Sequence, residues 1–404
     1  SQHPAASIAR AVRHEGLLGR LAVPALALVT AFIVGAFILV VTDFEHLSKI
    51  GTDPLVAIGG ALDVVVRGYG AMLTGSIGDV GRIVAAIQSG TERDVAKAIR
   101  PATEALLFTT PIIFVALGVG LALHARLFNF GAGGQFVMGG FGAVTAAGLL
   151  GSTLPPFAVL LLALATGTLS GAAYAFLPGL LKARTGAHEV ITTLMFNSLT
   201  GLTIYLVSGA LSGVDLRAVQ PPKVPLLFDI ETIRLDWGFV VALLMAVVVS
   251  FVLFRTPLGF ELRATGFSPA AARAAGMRPG RATVIAMSMS GGLAGMGGAF
   301  LALGPAGGIE GTGAGFVALA LALIAGLRPS GIVLACLLFG ALNNGAKSMV
   351  IETGTPLDLL TVIIALALMF VAAPGLIRSI WRLKPPPMHD DPATFRPTAD
   401  ASPL

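Results

Sequence analysis

Long stretches of this sequence contain no ionisable residue, and they restrict its fold more than any other feature. Neither 21–42 nor 105–123 contains one, and 134–181 is uncharged throughout. About 20 apolar residues are enough to cross the roughly 30 Å of hydrocarbon in a bilayer. In lipid the backbone must satisfy its own hydrogen bonds, which a continuous apolar run does by forming a helix. The sequence therefore predicts an all-α, polytopic transmembrane helical bundle.

The overall composition supports the same conclusion. Charged residues make up only 12% of the chain, whereas a typical soluble domain carries about 25%. The 51 glycines fit helices that pack closely in lipid, where small residues drive association. Gly291 and Gly295 form the clearest small-residue face. Helix packing is the favoured interpretation of this face, ahead of a direct role in substrate binding.

About ten membrane spans are predicted from the apolar runs. Their ranges are 21–42, 102–123, 134–151, 156–181, 190–209, 237–254, 282–303, 313–327, 330–348 and 358–376. The two runs after Glu310 are short, so tilted, half-inserted or kinked helices, and with them nine or eight spans, remain as alternatives. The segment 54–73 is also apolar, but Asp63 and Arg67 interrupt it, which indicates an interfacial or partly inserted helix. An amphipathic helix over 91–108 is predicted to run into the second span.

Basic residues in the connecting loops predict the orientation of these spans. The positive-inside rule places short loops rich in Lys and Arg in the cytoplasm. With ten spans, the N-terminal tail, the loop 255–281 and the C-terminal end fall on one side, and all three are basic. We therefore expect a cytoplasmic tail at 1–20, a transmembrane domain at 21–377, and a cytoplasmic, disordered tail at 378–404. The first span is expected to be retained, because no signal-peptide cleavage pattern follows it.

Several kinds of chemistry have no recognisable motif in this sequence. It contains neither a G-x-x-x-x-G-K-[ST] phosphate loop nor a G-x-S-x-G nucleophile elbow. Its single cysteine and six histidines show no metal-ligand spacing. The net charge of +5 comes from short basic loops and does not indicate nucleic-acid binding. No catalytic or metal-binding residue is predicted, and transport is left as the leading class of function.

The loop 255–281 carries the most informative local pattern. Ser268 is a good N-cap, Pro269 suits the first helical position, and Gly276 can end a helix. The alanines between them favour a short helix over 268–277, held outside the membrane by two spans. Such a helix can lie in a groove of a soluble partner. An ordinary amphipathic connector is the alternative.

Four stretches of the chain resemble ABC importer permeases. Residues 258–276 (LGFELRATGFSPAAARAAG) resemble their coupling loop. Residues 127–135 (LFNFGAGGQ) resemble LFNIGAEGQ, 186–197 (GAHEVITTLMFN) resemble GxNEVISTLMLN, and 326–335 (GLRPSGIVLA) with 338–342 (LFGAL) resemble GxxxPxGIVLA and LFGAL. The resemblance is to the superfamily of ribose, branched-chain amino acid and nucleoside permeases, and most closely to its nucleoside-type branch. Gly133 replaces a frequent Glu and His188 a frequent Asn, so substrate preference can differ from that of typical members.

The resemblance implies a type II-like ABC importer permease and assigns a coupling role to the loop. The residues implied to couple to an ATPase are Leu258, Gly259, Arg263, Ala264, Gly266, Ser268, Ala271, Ala272 and Gly276. It further implies ATP and Mg²⁺ on a cytoplasmic ATP-binding subunit, with no cofactor on this chain. The other implied partners are a second, different permease subunit and an external substrate-binding lipoprotein. The implied location is the bacterial cytoplasmic membrane.

Polar residues in or beside the apolar stretches are candidates for a substrate pathway. In lipid such groups are costly unless they are paired or line a water-filled path. The candidates are Asn129, Gln135, Glu189, Asn197 and Asn343, with Asn344 as a further polar position. Asn197 lies deep inside its span and is preferred. For Glu189 a structural pair with Lys182 or Arg184 is favoured, and for the asparagines hydrogen bonds between helices are at least as well supported.

The expected function is therefore that of a permease subunit of a bacterial ABC importer for nucleosides or related nucleobase compounds. A sugar or a branched-chain amino acid is the second choice of substrate within the same machinery. Two interpretations from other classes stay open at this point. One is a secondary transporter driven by an ion gradient, and the other is a structural or assembly protein of the membrane.

Overall fold

The computed structural model describes residues 5–382, apart from 211–218, 229, 231, 306 and 308–312. Of the disordered tail predicted at 378–404, residues from 383 onward lie outside the described part, whereas 378–380 belong to the helix Pro374–Ile380, so the start of the predicted tail is wrong. Sixteen helices are present in the described part: α1 (Ala5–Thr42), α2 (Phe44–Leu47), α3 (Pro54–Ile77), α4 (Val80–Ser89), α5 (Glu92–His124), α6 (Ala132–Leu150), α7 (Pro156–Thr185), α8 (Glu189–Ala210), α9 (Trp237–Arg255), α10 (Pro257–Phe267), α11 (Pro269–Ala274), α12 (Pro279–Leu303), α13 (Ala314–Ile324), α14 (Pro329–Thr353), α15 (Leu357–Ala372) and α16 (Pro374–Ile380). The predicted all-α class is confirmed.

Nine of these helices are long and apolar enough to cross a membrane. They are α1 from Val23 onward, α3, α5, α6, α7, α8, α9, α12 and α14. The helices α15 and α16 make a tenth candidate only together, with a bend of 91° between them. The predicted full span at 313–327 is wrong, because α13 has 11 residues and rises only about 16 Å; its length agrees with the alternative of a half-inserted helix. The amphipathic helix predicted at 91–108 is confirmed as the first part of α5.

The contacts of α3 favour partial insertion, although its length would allow a full crossing. Ser76, near the end of α3, donates a hydrogen bond of 2.7 Å to the carbonyl of Ala341, which lies midway along α14. The amide of Asn344 donates to Gly75 at 2.9 Å and to Pro101 of α5 at 3.0 Å. The end of α3 and the first half of α5 therefore meet at one level beside the middle of α14.

Partial insertion of α3 also keeps the basic loops on one side of the membrane. If α3 crossed fully, the N-terminal end and the loop between α9 and α12 would face opposite sides, against the positive-inside rule. The two charges that interrupt α3 neutralise each other, because Arg67 and Asp63 form an ion pair of 2.7 Å one turn apart. The helix predicted at 54–73 extends over 54–77, and its partial insertion stays a prediction.

A glycine-lined interface between α6, α7 and α12 forms the centre of the bundle. Gly295 of α12 lies against Gly167 and Gly171 of α7, and a Cβ atom at Gly295 would be 2.6 Å from the Gly167 carbonyl oxygen. On the other side, Gly139 of α6 contacts the backbone of Gly295. Gly291 packs against Gly171 in the same way. The predicted packing role of Gly291 and Gly295 is confirmed, and close backbone approach holds the three helices together.

Two helices, α6 and α13, begin inside the bundle rather than at one of its ends, and we call them the interrupted helices. Their first turns meet in the middle of the bundle. Both α6 and α13 begin in a Gly-Ala-Gly triplet, at 131–133 and 313–315, whose first glycine is the N-cap. Gly315 packs against the backbone of Gly133, so the two N-termini face each other. From there α13 leads toward the end of α5, where the Leu327 carbonyl lies 3.1 Å from His124 Nε2. The helix α6 leads toward the opposite end of the bundle.

The segments α5–α8 and α12–α15 therefore form an inverted repeat around this contact. In each segment a long helix is followed by an interrupted helix that starts at mid-depth, and then by two further helices that run in opposite directions. Inverted repeats of this kind are frequent in transporters, whose substrate sites lie beside the discontinuous helices. The sequence did not reveal this repeat, because a shared triplet is too short a signal.

Candidate functional site

The loop between α9 and α12 folds into the short helices α10 and α11. Ser268 caps α11 as predicted, since its Oγ accepts a hydrogen bond of 3.3 Å from the Ala271 N–H. Gly276 follows with a φ of +83°, a left-handed conformation that ends helices and favours glycine. The short helix predicted at 268–277 is present over 269–274, and the sequence did not predict α10.

The nine residues assigned to coupling differ in their accessibility. Gly259, Gly266 and Ala272 are buried, the half-buried members are Leu258, Arg263, Ala264 and Ser268, and the exposed members are Ala271 and Gly276. Gly266 packs against the backbone of His124 and Ala125 at the end of α5. The exposed members are the most accessible to another protein, whereas the buried ones pack inside the loop and against the bundle.

Sequence reasoning missed two aromatic residues in this loop. Phe267 at the end of α10 is 83% exposed, and Phe260, two turns earlier on the same face, is 58% exposed. Ala270, Ala271 and Ala274 of α11 are exposed as well, and we call these five residues the loop surface. Aromatic residues contribute disproportionately to binding at protein interfaces. Two phenylalanines in a loop outside the membrane were the signal that could have identified this surface.

Asn129 and Gln135 form a buried hydrogen-bond network. The Asn129 amide donates to Gln135 Oε1 at 2.7 Å and to Ser290 Oγ at 2.9 Å. The Gln135 amide donates back to Asn129 Oδ1 at 3.0 Å. Both side chains are buried. The network ties the non-helical segment before α6 to the middle of α12, and both amides are engaged within the chain.

The side chains of Asn197 and Glu189 also have partners within the chain. Asn197 Oδ1 accepts a hydrogen bond of 2.6 Å from the Gly134 N–H in the first turn of α6. Glu189 Oε2 lies 2.6 Å from Lys182 Nζ across the turn between α7 and α8. The structural pair favoured for Glu189 is therefore present. Contact of either residue with a substrate stays a prediction.

Asn343 lies in a different setting, on the wall of a cavity of 410 Å³. The cavity is bounded by the start of α9 and the end of α12, so it lies at the end of the bundle opposite the loop 255–281. Four aromatic residues contribute to its lining: Phe108, Phe136, Phe300 and Phe339. The Asn343 side chain makes no hydrogen bond to any residue that the structure describes. Of the predicted pathway residues, it is the one whose polar atoms face open space.

An ion pair and a lysine add charge to the lining of this cavity. The Arg234 guanidinium donates to both carboxylate oxygens of Glu104, at 2.8 Å through Nε and 2.5 Å through Nη2. The bond to Glu104 raises the pKa of Arg234. Lys347 Nζ lies 4.8 Å from the centroid of the Phe108 ring, which is the geometry of a cation–π contact.

Asp236 is the second acid in the lining, and the fold buries it to 3% exposure. It caps α9, because its Oδ1 accepts a hydrogen bond of 2.9 Å from the Gly238 N–H. Burial raises its pKa to about 6, and this hydrogen bond opposes the rise. Asp236 can therefore change its charge near neutral pH.

Residues 102–373 match the family described as branched-chain amino acid transport system / permease component. The chain belongs to this family. The permease is 32% identical to the guanosine ABC transporter permease protein NupP of Bacillus subtilis (strain 168), over 90% of this chain and 96% of that protein. It is 28% identical to the nucleoside ABC transporter permease protein NupB of Lactococcus lactis subsp. cremoris (strain MG1363), over 68% and 79%. It is 30% identical to the glucose ABC transporter permease protein TsgB13 of Haloferax volcanii, over 67% and 75%.

Family membership gives the chain its general role. It is the permease component of an ABC transporter, a membrane protein through which import is coupled to ATP. The relatives are transporter permeases rather than enzymes. This result favours ATP-driven transport over the ion-coupled alternative and over a purely structural role.

The raised pKa of Asp236 predicts that the permease loses stability as the pH rises. A carboxyl with a folded-state pKa of about 6 and an ordinary aspartate pKa of 3.8 in the unfolded chain binds more protons in the folded state. The stabilisation that comes from the protonated carboxyl is fully present below about pH 4 and is lost as the pH rises through 6. The free energy of unfolding therefore falls by about 2–3 kcal/mol over this range. Asp236→Asn keeps a capping oxygen and should remove this part of the pH dependence. Thermal unfolding of the purified permease between pH 4.5 and 7.5 measures it.

Asp53→Asn is the matched control for that experiment. Asp53 caps α3 through a hydrogen bond of 3.3 Å from the Val56 N–H, but it is exposed. The control should keep the pH dependence of the unchanged permease. The other charged groups of the cavity are Glu104, Arg234 and Lys347, and all three are retained in both variants. An unchanged pH dependence in Asp236→Asn would contradict the assignment.

Proposed function

We propose that this permease imports nucleosides or related nucleobase compounds across the bacterial cytoplasmic membrane. The observation that carries the proposal is the 32% identity to a guanosine permease along 90% of the chain. The resemblance of residues 127–135 and 186–197 to the nucleoside-type branch supports the same substrate class. The cavity lined by phenylalanines and an asparagine suits a planar heterocycle with polar edges.

The proposed assembly contains three kinds of partner. A second permease subunit, different from this chain, completes the membrane part. ATP-binding subunits on the cytoplasmic side hold ATP and Mg²⁺, and an external lipoprotein delivers the substrate. Both termini of this chain are cytoplasmic in this arrangement, together with the loop surface. The basic residues at the ends of the chain and in the loop 255–281 support this orientation.

Coupling in this assembly would pass from the loop surface to the interrupted helix α6. The exposed phenylalanines and alanines of the loop surface offer the contact for the ATPase. Within the chain, Gly266 packs against Ala125, which directly precedes the non-helical segment leading to α6. Asn129 in that segment is bonded to Ser290 at mid-depth of α12. A displacement of the loop can therefore be transmitted through packed backbone to the contact between α6 and α13.

A sugar is the second candidate substrate. The observation that favours it is the 30% identity to a glucose permease over 67% of the chain. The two candidates predict different uptake, since a site built for a planar base should discriminate against a saturated sugar ring. The branched-chain amino acids of the family description are a third choice.

Uptake in cells tests this proposal directly. We expect deletion of the permease from its native cells to abolish high-affinity uptake of tritiated guanosine, and a plasmid copy to restore it. Uptake of labelled glucose and leucine should be unaffected. Loss of glucose or leucine uptake, with guanosine uptake intact, would replace the nucleoside proposal by one of the other two candidates.

A further inference from the structure

We propose that the cavity containing Asn343 is a nucleoside-binding site within this single chain, on the external side of the membrane. This inference rests on the proposed function and adds a location and a recognition chemistry to it. The cavity is enclosed by α5, α12 and α14 of one chain, together with the segment before α9 and the first turns of α6 and α13. It would hold the substrate after delivery and before passage across the membrane.

The dimensions and the walls of the cavity suit a nucleobase. Its volume of 410 Å³ falls within the range of about 300–1,000 Å³ that small-molecule sites occupy. Phe108 and Phe339 stand 6.2 Å apart with an angle of 34° between their rings, and Phe300 is stacked on Phe114 at 5.2 Å. Phenylalanine faces are the surfaces on which proteins stack unpaired bases.

Asn343 supplies the polar group that such a ligand requires. A carboxamide offers one acceptor and two donor hydrogens, and it can pair with the edge of a purine. The neighbouring Asn344 also borders the cavity, but its amide donates to Gly75 and Pro101 and so holds α14 against α3 and α5. Of these two consecutive asparagines, Asn344 therefore makes hydrogen bonds that hold the helices together, and Asn343 is available to a ligand.

The charges around the cavity favour a neutral ligand. Glu104 and Asp236 oppose Arg234 and Lys347, so the lining contains equal numbers of acidic and basic groups. The guanidinium of Arg234 is already occupied by both oxygens of Glu104. Lys347 is thus the one basic lining group without a carboxylate partner among the described residues. A neutral nucleoside leaves this lining balanced, whereas the phosphate of a nucleotide would add one or more negative charges that only Lys347 could oppose.

The position of the cavity agrees with a place at the start of the transport path. Phe136 of α6 and Ala314 and Val317 of α13 contribute to its lining. The cavity therefore reaches the level at which the two interrupted helices meet, where Gly315 packs against Gly133. Motion of either helix would change the floor of the cavity. Discontinuous helices border the substrate sites of many transporters for this reason.

Photolabelling of the assembled transporter tests the location without any mutation. Membranes containing the permease with its native partners are incubated with 8-azidoguanosine, irradiated, and digested for mass spectrometry. We expect labelled peptides from the regions 104–112 and 339–347, and protection by excess guanosine but not by GMP. Labelling confined to other helices, or no protection by guanosine, would overturn the proposed site.

Two variants test the recognition chemistry. Asn343→Leu removes the amide at similar size, and Phe108→Leu removes one aromatic face. Each is expected to raise the KM for guanosine uptake about tenfold or more, because a lost hydrogen bond or stack costs roughly that factor in affinity. Asn343→Gln should recover part of the loss. Phe157→Leu, on a side chain that is 69% exposed on α7 and outside the cavity, is the matched control and should leave the KM unchanged.

The outcomes separate failure of the site from failure of the proposed function. If the unchanged transporter does not take up guanosine, the nucleoside function itself is wrong. If it takes up guanosine and both cavity variants keep its KM, the function stands and the site is wrong. Equal losses in both variants and in Phe157→Leu would indicate a general defect of folding and would also count against the site, unless photolabelling places guanosine there.

Discussion

Replacing Ala271 with arginine is expected to lower ATP-driven uptake about a hundredfold or more while the permease folds and inserts normally. Ala271 is exposed on α11, and its backbone N–H, rather than its side chain, makes the capping bond to Ser268. The substitution therefore breaks no contact within the chain. In the assembled transporter, the same position would face a groove of the ATPase. A charge buried there without a partner costs about 3–5 kcal/mol, which corresponds to a loss of about two to four orders of magnitude.

The measurement requires two readouts from the same membranes. Guanosine uptake reports coupling, and guanosine binding by the proposed external lipoprotein reports substrate loading, which should be unchanged. Ser330→Arg is the matched control, because Ser330 is exposed at the start of α14 beside the basic Arg328 on the same side of the bundle. Normal uptake with Ala271→Arg would mean that the loop 255–281 is an ordinary connector.

Gly266 is a less informative position for the same test. A Cβ atom at Gly266 would lie 2.7 Å from backbone atoms of both His124 and Ala125. Any side chain there would therefore displace α10 from the end of α5. Transport would be lost whether or not an ATPase contacts the loop, because the loop itself would move. Ala271 separates contact with a partner from packing within the chain, and Gly266 does not.

Most of the helical architecture could be predicted, because uncharged apolar runs leave the backbone few alternatives to a helix in lipid. The short helix α11 was predictable for a local reason as well, since Ser268, Pro269 and Gly276 act within one or two turns. The depth of α3 was not predictable with certainty. It depends on where Ser76 and Asn344 find their partners, and those contacts join residues far apart in the sequence.

The pathway asparagines show the same limit at the level of single side chains. Asn129 and Asn343 both lie in apolar surroundings, and the sequence gives them similar status as candidates. Asn129 is bonded to Ser290, which lies 161 positions further along the chain, whereas Asn343 faces the cavity. Only the tertiary structure determines which of the two side-chain amides is hydrogen-bonded within the chain. The exposed Phe267, by contrast, was open to prediction from its place in a loop.

Replacing Gly295 with valine is expected to prevent stable assembly of the permease. Gly295 lies where α6, α7 and α12 meet, and a Cβ atom there would be 2.6 Å from the Gly167 carbonyl oxygen and 2.9 Å from the Gly171 Cα. These neighbours are backbone atoms of helices, so they cannot move aside as a flexible side chain can. The helices must separate, which costs about 3 kcal/mol or more through overpacking and lost dispersion contacts. That is a large part of the stability of a typical domain.

The same helix supplies the control for this prediction. A Cβ atom at Gly292 would lie 3.5 Å from the Cβ of Ala172 and 3.7 Å from the Thr168 carbonyl oxygen, which are ordinary contact distances. Gly292→Ala should therefore accumulate in membranes like the unchanged permease, and should unfold at the same or a slightly higher temperature because alanine favours helices. Gly295→Val should accumulate poorly or unfold at least several degrees lower. Equal behaviour of the two variants would show that close approach of α6, α7 and α12 does not hold the bundle together.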